Sequence, residues 1–246
     1  VIGLTLVGFG TSAPELVTSV SAALAGAPGI ALGNVVGSNI ANILLILGVA
    51  ALIRPVAAQM AGLLREASWV GGSALALAAL AVSGQISTLS GVCLIGFLGF
   101  YLWGAFRSSS VPSDDLSILT DPLPKAATLL VIGLALTIGG AIALVDGATG
   151  IARAYGVPEA VIGLTLVAVG TSLPELATTV MAALRRQADV ALGNVIGSNL
   201  FNLLGIIGVA TLVGPIPVDP QFLQFDFWVM LASALLLLPF VYFGRD

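Results

Sequence analysis

The sequence predicts an all-α integral membrane protein: two inverted-topology repeats of transmembrane helices, with eight spans present of an expected ten. Three observations carry that prediction. Hydrophobic residues make up 58% of the 246 residues and charged residues only 8%, with a mean hydropathy of +1.12; soluble domains carry about 25% charged residues. The apolar residues gather into stretches long enough to cross a bilayer. The same short motifs occur twice, at one constant offset of 160 residues.

Along the chain, spans are expected at about 1–25, 30–53, 67–84, 88–107, 126–152, 157–184, 189–213 and 224–243. Turn-forming residues punctuate them: Pro28 and Gly29, Arg54 and Pro55, Ser83 and Gly84, then Gly214, Pro215, Pro217 and Pro220. The longest break carries Ser108, Ser109, Ser110, Asp114 and Asp115, and reads as a loop joining two halves. The expected organisation is therefore a first repeat over 1–107 that lacks its first helix, a connecting loop over 108–125, and a second repeat over 126–246 that lacks its last helix. If the spans alternate in direction, Arg54, Arg65, Arg107, Lys125, Arg185, Arg186 and Arg245 fall on one side and Arg153 alone on the other. The side rich in arginine reads as cytoplasmic, and it holds residue 1 and the 107–125 loop. Tyr101, Trp103 and Trp228 fit an interfacial aromatic belt. Cys93, the single cysteine, lies in an apolar run and reads as a small packing residue. A net charge of −4, dispersed along the chain, excludes a nucleic-acid partner. The lipid bilayer is the partner this composition implies.

The repeat is specific. Residues 1–7 recur unchanged as 161–167, and the Gly-Thr-Ser-x-Pro-Glu motif at 10–15 returns at 170–175. The Gly-Asn-x-x-Gly-Ser-Asn-x-x-Asn motif at 33–42 returns at 193–202. Counting spans sends the first copy into the membrane from the cytoplasm and the second from outside. That is the architecture of many secondary transporters, with the substrate site between the repeats. The span at 126–152 has no counterpart before residue 1, and the counterpart of 88–107 would lie beyond residue 246, which is why ten helices are expected.

Each repeat places a glutamate, Glu15 or Glu175, in mid-span. An ionised carboxylate there costs about 2.5–3.5 kcal/mol even on the lenient insertion scale, so its default reading is functional. Pro14 and Pro174 lack the N–H that a continuous helix needs, so a kink or unwinding is expected around 10–14 and 170–174. Thr11 and Ser12 share the face of Glu15, as Thr171 and Ser172 share that of Glu175. Ser38 with Asn42, and Ser198 with Asn202, set a hydroxyl and an amide on one helix face. Gly33, Gly37, Gly193 and Gly197 read as close-packing positions. Together these side chains offer only oxygen, which suits Ca2+ and Na+. With no histidine in the chain, a zinc or copper site and a serine–histidine protease are both excluded. Two glutamates balance one Ca2+ or two Na+.

These paired motifs resemble the alpha repeats of the sodium/calcium exchanger family, within the cation/calcium antiporter superfamily. The resemblance implies ten helices in two inverted sets of five and a secondary active antiporter that exchanges Ca2+ for Na+ by alternating access. It implies transported ions and no cofactor or catalytic residue, in the plasma (inner) membrane of a prokaryote. Glu15 and Glu175 would be the central acidic ligands, completed by Thr11, Ser12, Ser38, Asn42, Thr171, Ser172, Ser198 and Asn202. Backbone carbonyls near Gly8 and Ala168 would contribute too. Members of the family often carry aspartate where this chain has Asn202, which leaves the sodium stoichiometry open, with H+ or K+ coupling as the alternative. A cation channel is the alternative from a different class. The oligomeric state has no signature in the sequence.

Overall fold

A computed structural model describes residues 2–54, 60–108, 123–157 and 159–237. The first motif is split between two helices, Ile2–Thr11 and Ala13–Leu24, which meet at Ser12. Ser12 adopts φ −83° and ψ 9°, the sparsely allowed bridge between helix and strand. Pro14 explains the break. It has no N–H to give the Gly10 carbonyl, yet it is well placed in the first turn of a new helix. The second copy repeats this geometry: Gly163–Thr171 and Leu173–Leu184 are bent by 49° at Ser172, whose φ is −82° and ψ 7°. The kinks expected from the prolines are present in both halves.

The second motif lies on two long helices, Pro28–Ile53 and Ala188–Val213. Each contains a π-helical stretch, Asn42–Leu47 and Phe201–Ile206, that the sequence pattern did not announce. The remaining long helices are Met60–Ala81, Thr88–Ser108, Leu123–Ala154 and the shorter Phe222–Leu235. Among the described residues, Pro28–Ile53, Thr88–Arg107 and Ala188–Val213 are each long and apolar enough to cross a membrane, and the bent pair is a fourth if taken as one span.

The helices carrying the motifs trade partners. Ile2–Thr11 packs on Ala188–Leu200, while Pro28–Ala41 packs on Gly163–Val167 and Ala168–Thr171. Small residues set these crossings. A Cβ on Gly37 would run into the Leu164 carbonyl oxygen and come within 2.7 Å of the Ala168 Cβ. One on Gly163 would lie 3.0 Å from the Ile30 carbonyl oxygen, and one on Gly8 3.2 Å from the Ser198 amide nitrogen. The main core joins Leu32, Val35, Leu200 and Leu203 of the long helices to Phe222 and Phe227. A smaller cluster of Ile30, Ala152, Ile162 and Val167 brings Ala27 and Val157 to the same end of the molecule.

Three details depart from expectation. The helical architecture is interrupted by a two-residue antiparallel ladder that pairs Gln85 with Pro217 and Ile86 with Ile216, extended by the Val218 N–H donating to the Gly84 carbonyl at 2.9 Å. Two loops read as separate punctuation therefore satisfy each other's backbone groups. Cys93 is exposed on its helix instead of packed. Tyr101 turns inward, 6% exposed, because its hydroxyl bonds Glu66, whereas Trp103 and Trp228 do face outward.

Candidate cation site

Both breaks point at one place. Glu15 and Glu175, each in the first turn after its break, are fully buried, each at 0% exposure. Their partners are hydroxyls from the opposite half. Ser12 Oγ donates to Glu175 Oε1 at 2.7 Å, and Ser172 Oγ donates to Glu15 Oε1 at 2.9 Å. A helix broken at serine turns that hydroxyl away from its own glutamate and towards the other. Ser198 Oγ approaches Glu175 Oε1 at 3.4 Å and the Gly8 carbonyl oxygen at 3.2 Å. Its counterpart Ser38 approaches the Ala168 carbonyl oxygen at 3.3 Å. The hydroxyls of Thr11 and Thr171 reach Asn194 Oδ1 at 3.2 Å and Asn34 Oδ1 at 3.0 Å.

All twelve residues singled out from the sequence, Gly8 and Ala168 included, are buried. Ten of them are joined by the hydrogen bonds above, directly or through Asn34 and Asn194. The two motif-ending asparagines stand outside that net. Asn42 Nδ2 donates to Asn199 Oδ1 at 2.9 Å, leaving its own Oδ1 without a partner, and neither polar atom of Asn202 has one.

Asn34 and Asn194 were not among the expected site residues, yet they organise it. Asn34 Nδ2 donates to the Glu15 carbonyl oxygen at 3.2 Å and to Ser19 Oγ at 2.9 Å. Asn194 Nδ2 does the same for the Glu175 carbonyl oxygen at 3.3 Å and Thr179 Oγ1 at 3.0 Å. Each amide thus anchors the glutamate helix of its own half while its oxygen accepts a threonine from the other.

What is left over defines the chemistry. Glu15 Oε2, Glu175 Oε2, Asn42 Oδ1 and Asn202 Oδ1 are buried acceptors with no donor. Among the described residues these four acceptors, two of them on carboxylates, have no hydrogen-bond donor, and a cation is one partner that would satisfy them. Among the described residues no three of the His, Cys, Asp and Glu side chains cluster. A cation here would meet two carboxylates and neutral oxygens, the donor set that suits hard ions such as Ca2+ and Na+.

Comparisons with known proteins agree in kind. The family described as sodium/calcium exchanger protein matches residues 1–107 and 125–245. The chain is 37% identical over 288 residues to the sodium/calcium exchanger MaX1 of Methanosarcina acetivorans, an alignment that takes in 100% of this chain and 82% of that one. It is 36% identical over 255 residues to the inner membrane protein YrbG of Escherichia coli, covering 96% of this chain and 76% of YrbG. Among solved structures, the sodium-calcium exchanger NCX_Mj soaked with Na+ and Sr2+ superposes with a TM-score of 0.79 at 36% identity, covering 98% of this chain and 78% of that one.

Proposed function

This chain belongs to the sodium/calcium exchanger protein family, a family of membrane cation antiporters, and from that premise we propose that it exchanges Ca2+ for Na+ by alternating access. One observation carries the reading: Glu15 and Glu175 each accept a serine hydroxyl from the opposite half at Oε1, while their buried Oε2 atoms lack a donor among the described residues. A buried acceptor left bare costs about 1–3 kcal/mol, and more when charged. A bound cation removes that cost.

In this proposal Glu15 and Glu175 are the central ligands. Ser12, Ser172, Ser38, Ser198, Thr11 and Thr171 add hydroxyl oxygens, Asn42 and Asn202 add amide oxygens, and Gly8 and Ala168 add carbonyls. Ca2+ takes 6–8 such oxygens. Two carboxylates neutralise one Ca2+ or two Na+, so the site is neutral with either load and doubly negative when empty. Carrying two bare charges through the low-dielectric interior is costly, and this favours exchange over leak.

We place these residues in two inverted repeats, 1–107 and 126–246, joined by a cytoplasmic loop at 108–125. Alternation of eight spans puts the connections near residues 26 and 156, and those near 85 and 217, on the outer side. The contact of Ala27 and Val157 with one cluster, and the ladder between residues 85–86 and 216–217, support that arrangement. The arginine-rich ends then face the cytoplasm. An inner-membrane location matches that of the similar inner membrane protein YrbG.

The test is 45Ca2+ uptake into proteoliposomes loaded with Na+, with K+, or with only a pH gradient. Uptake should require internal Na+ and saturate. Glu15→Gln and Glu175→Gln should each lower it by roughly 100-fold or more, the scale of breaking a buried charge pair. Uptake driven by the pH gradient alone would replace Na+ with H+ as the counter-ion, and flux that needs no counter-ion would mean a channel.

A further inference from the structure

Away from the ion site, Met60–Ala81 and Thr88–Ser108 enclose a groove of about 200 Å3 lined by Arg65, Trp69, Phe100, Tyr101 and Trp103. Its floor is aromatic. Trp69 packs edge-on against Phe97 and Tyr101, with ring centroids at 5.8 and 5.4 Å, and Phe100 bridges Trp69 to Trp103. Phe100 and Trp103 are each 56% exposed, on a face that lipid covers if these helices span the membrane.

Its rim is cationic. Arg65 gives its Nε–H and one Nη2–H to Glu66 Oε1, at 3.2 and 2.9 Å, while Tyr101 donates to Glu66 Oε2 at 2.7 Å. A guanidinium has five N–H groups, so three of those on Arg65 are not committed to Glu66. The Arg107 guanidinium lies 4.9 Å above the Trp103 ring. A cation–π contact of this kind engages the ring without using the guanidinium N–H groups as hydrogen-bond donors to it, so they can meet an anion. Two arginines and one glutamate sum to a single positive charge beside an apolar slot.

We propose that this groove binds an anionic phospholipid, with its phosphodiester between Arg65 and Arg107 and the start of an acyl chain over Trp69 and Phe100. Charge complementarity selects the occupant: one net positive charge meets the one negative charge of a phosphatidylglycerol headgroup. The aromatic floor selects a lipid over a free anion, because a soluble phosphate would leave the rings uncovered. Both arginines lie on the membrane face that the proposed topology assigns to the cytoplasm, where basic pockets between helices meet anionic headgroups.

The experiment is native mass spectrometry of the purified full chain, stripped in mild detergent and re-supplied with phosphatidylglycerol or phosphatidylcholine. One phosphatidylglycerol should be retained in preference to phosphatidylcholine and should resist excess inorganic phosphate. Arg65→Gln and Arg107→Gln should each weaken retention roughly fivefold, the usual worth of one basic residue at an anionic surface. Glu66→Gln, which keeps a partner for Tyr101 while removing the opposing charge, should strengthen it by a similar factor. Equal retention of the two lipids, unchanged retention in the double arginine variant, displacement by inorganic phosphate, or a second copy of the chain bound in place of lipid would each overturn the proposal. Should Arg65→Gln fail to fold, Arg107→Gln decides the matter, since its side chain is exposed and forms no ion pair among the described residues.

Discussion

At the centre of the molecule the asparagines divide into two kinds. Asn34 and Asn194 use both ends of their amides to hold glutamate backbones, hydroxyls and the opposite half together. Asn42 and Asn202 keep acceptor oxygens bare. Only the second kind was recognised from the sequence, through the i,i+4 relation to Ser38 and Ser198. Asn34 stands four residues before Ser38 and shares the same face, so the same i,i+4 relation points to it as well. The neutral amide at Asn202 also holds the count of carboxylates at the candidate site at two. In the proposed exchange two Na+ against one Ca2+ moves no net charge, so Na+-driven uptake should be the same at imposed positive and negative membrane potentials. Asn202→Asp adds a third carboxylate; three Na+ would balance it and Ca2+ would leave one charge over. That variant should gain potential dependence, read as a current that the parent lacks. A current in the parent would refute the two-for-one count.

Among the elements, the broken helices were legible because proline removes a donor at a fixed place, and the breaks at Ser12 and Ser172 lie two residues before Pro14 and Pro174. The π-helical stretches at Asn42–Leu47 and Phe201–Ile206 were not legible. They widen the helix by one residue per turn without any composition that marks it. Glycine spacing announced close approach but not the partner, since a small residue records how near a neighbour comes and not which neighbour it is. The two crossings differ in tightness. At Gly37 an added methyl meets the backbone of Leu164 and the Ala168 side chain, whereas at Gly8 it meets only contacts of 3.2–3.4 Å. Gly37→Ala should therefore cost about 1–3 kcal/mol of overpacking, seen as a lowered unfolding midpoint in detergent. Gly8→Ala should stay within about 1 kcal/mol of the parent, because helix propensity favours alanine. Equal midpoints for the two variants would show that the Pro28–Ala41 crossing is softer than its geometry indicates.

For the molecule as a whole, composition was enough for the class, a helical membrane protein, because lipid demands long apolar runs wherever the chain crosses. The ladder between residues 85–86 and 216–217 was beyond reach, since two residues of extended backbone leave no pattern and their partners are remote in sequence. It offers a direct check on topology. In a Cys93→Ala background, since Cys93 is exposed, Gln85→Cys with Pro217→Cys should form a disulfide, and each single variant should react with a membrane-impermeant thiol reagent added from outside whole cells. Reaction only after permeabilisation would reverse the proposed orientation. The crossed serine–glutamate bonds carry a different consequence, one for descent. Ser12 serves Glu175 and Ser172 serves Glu15, so neither half owns a complete site. A gene for one half, once duplicated, could not let its two copies drift apart freely. Change at position 12 is answerable to position 175 and change at 172 to position 15, so each half is inherited as the other's environment.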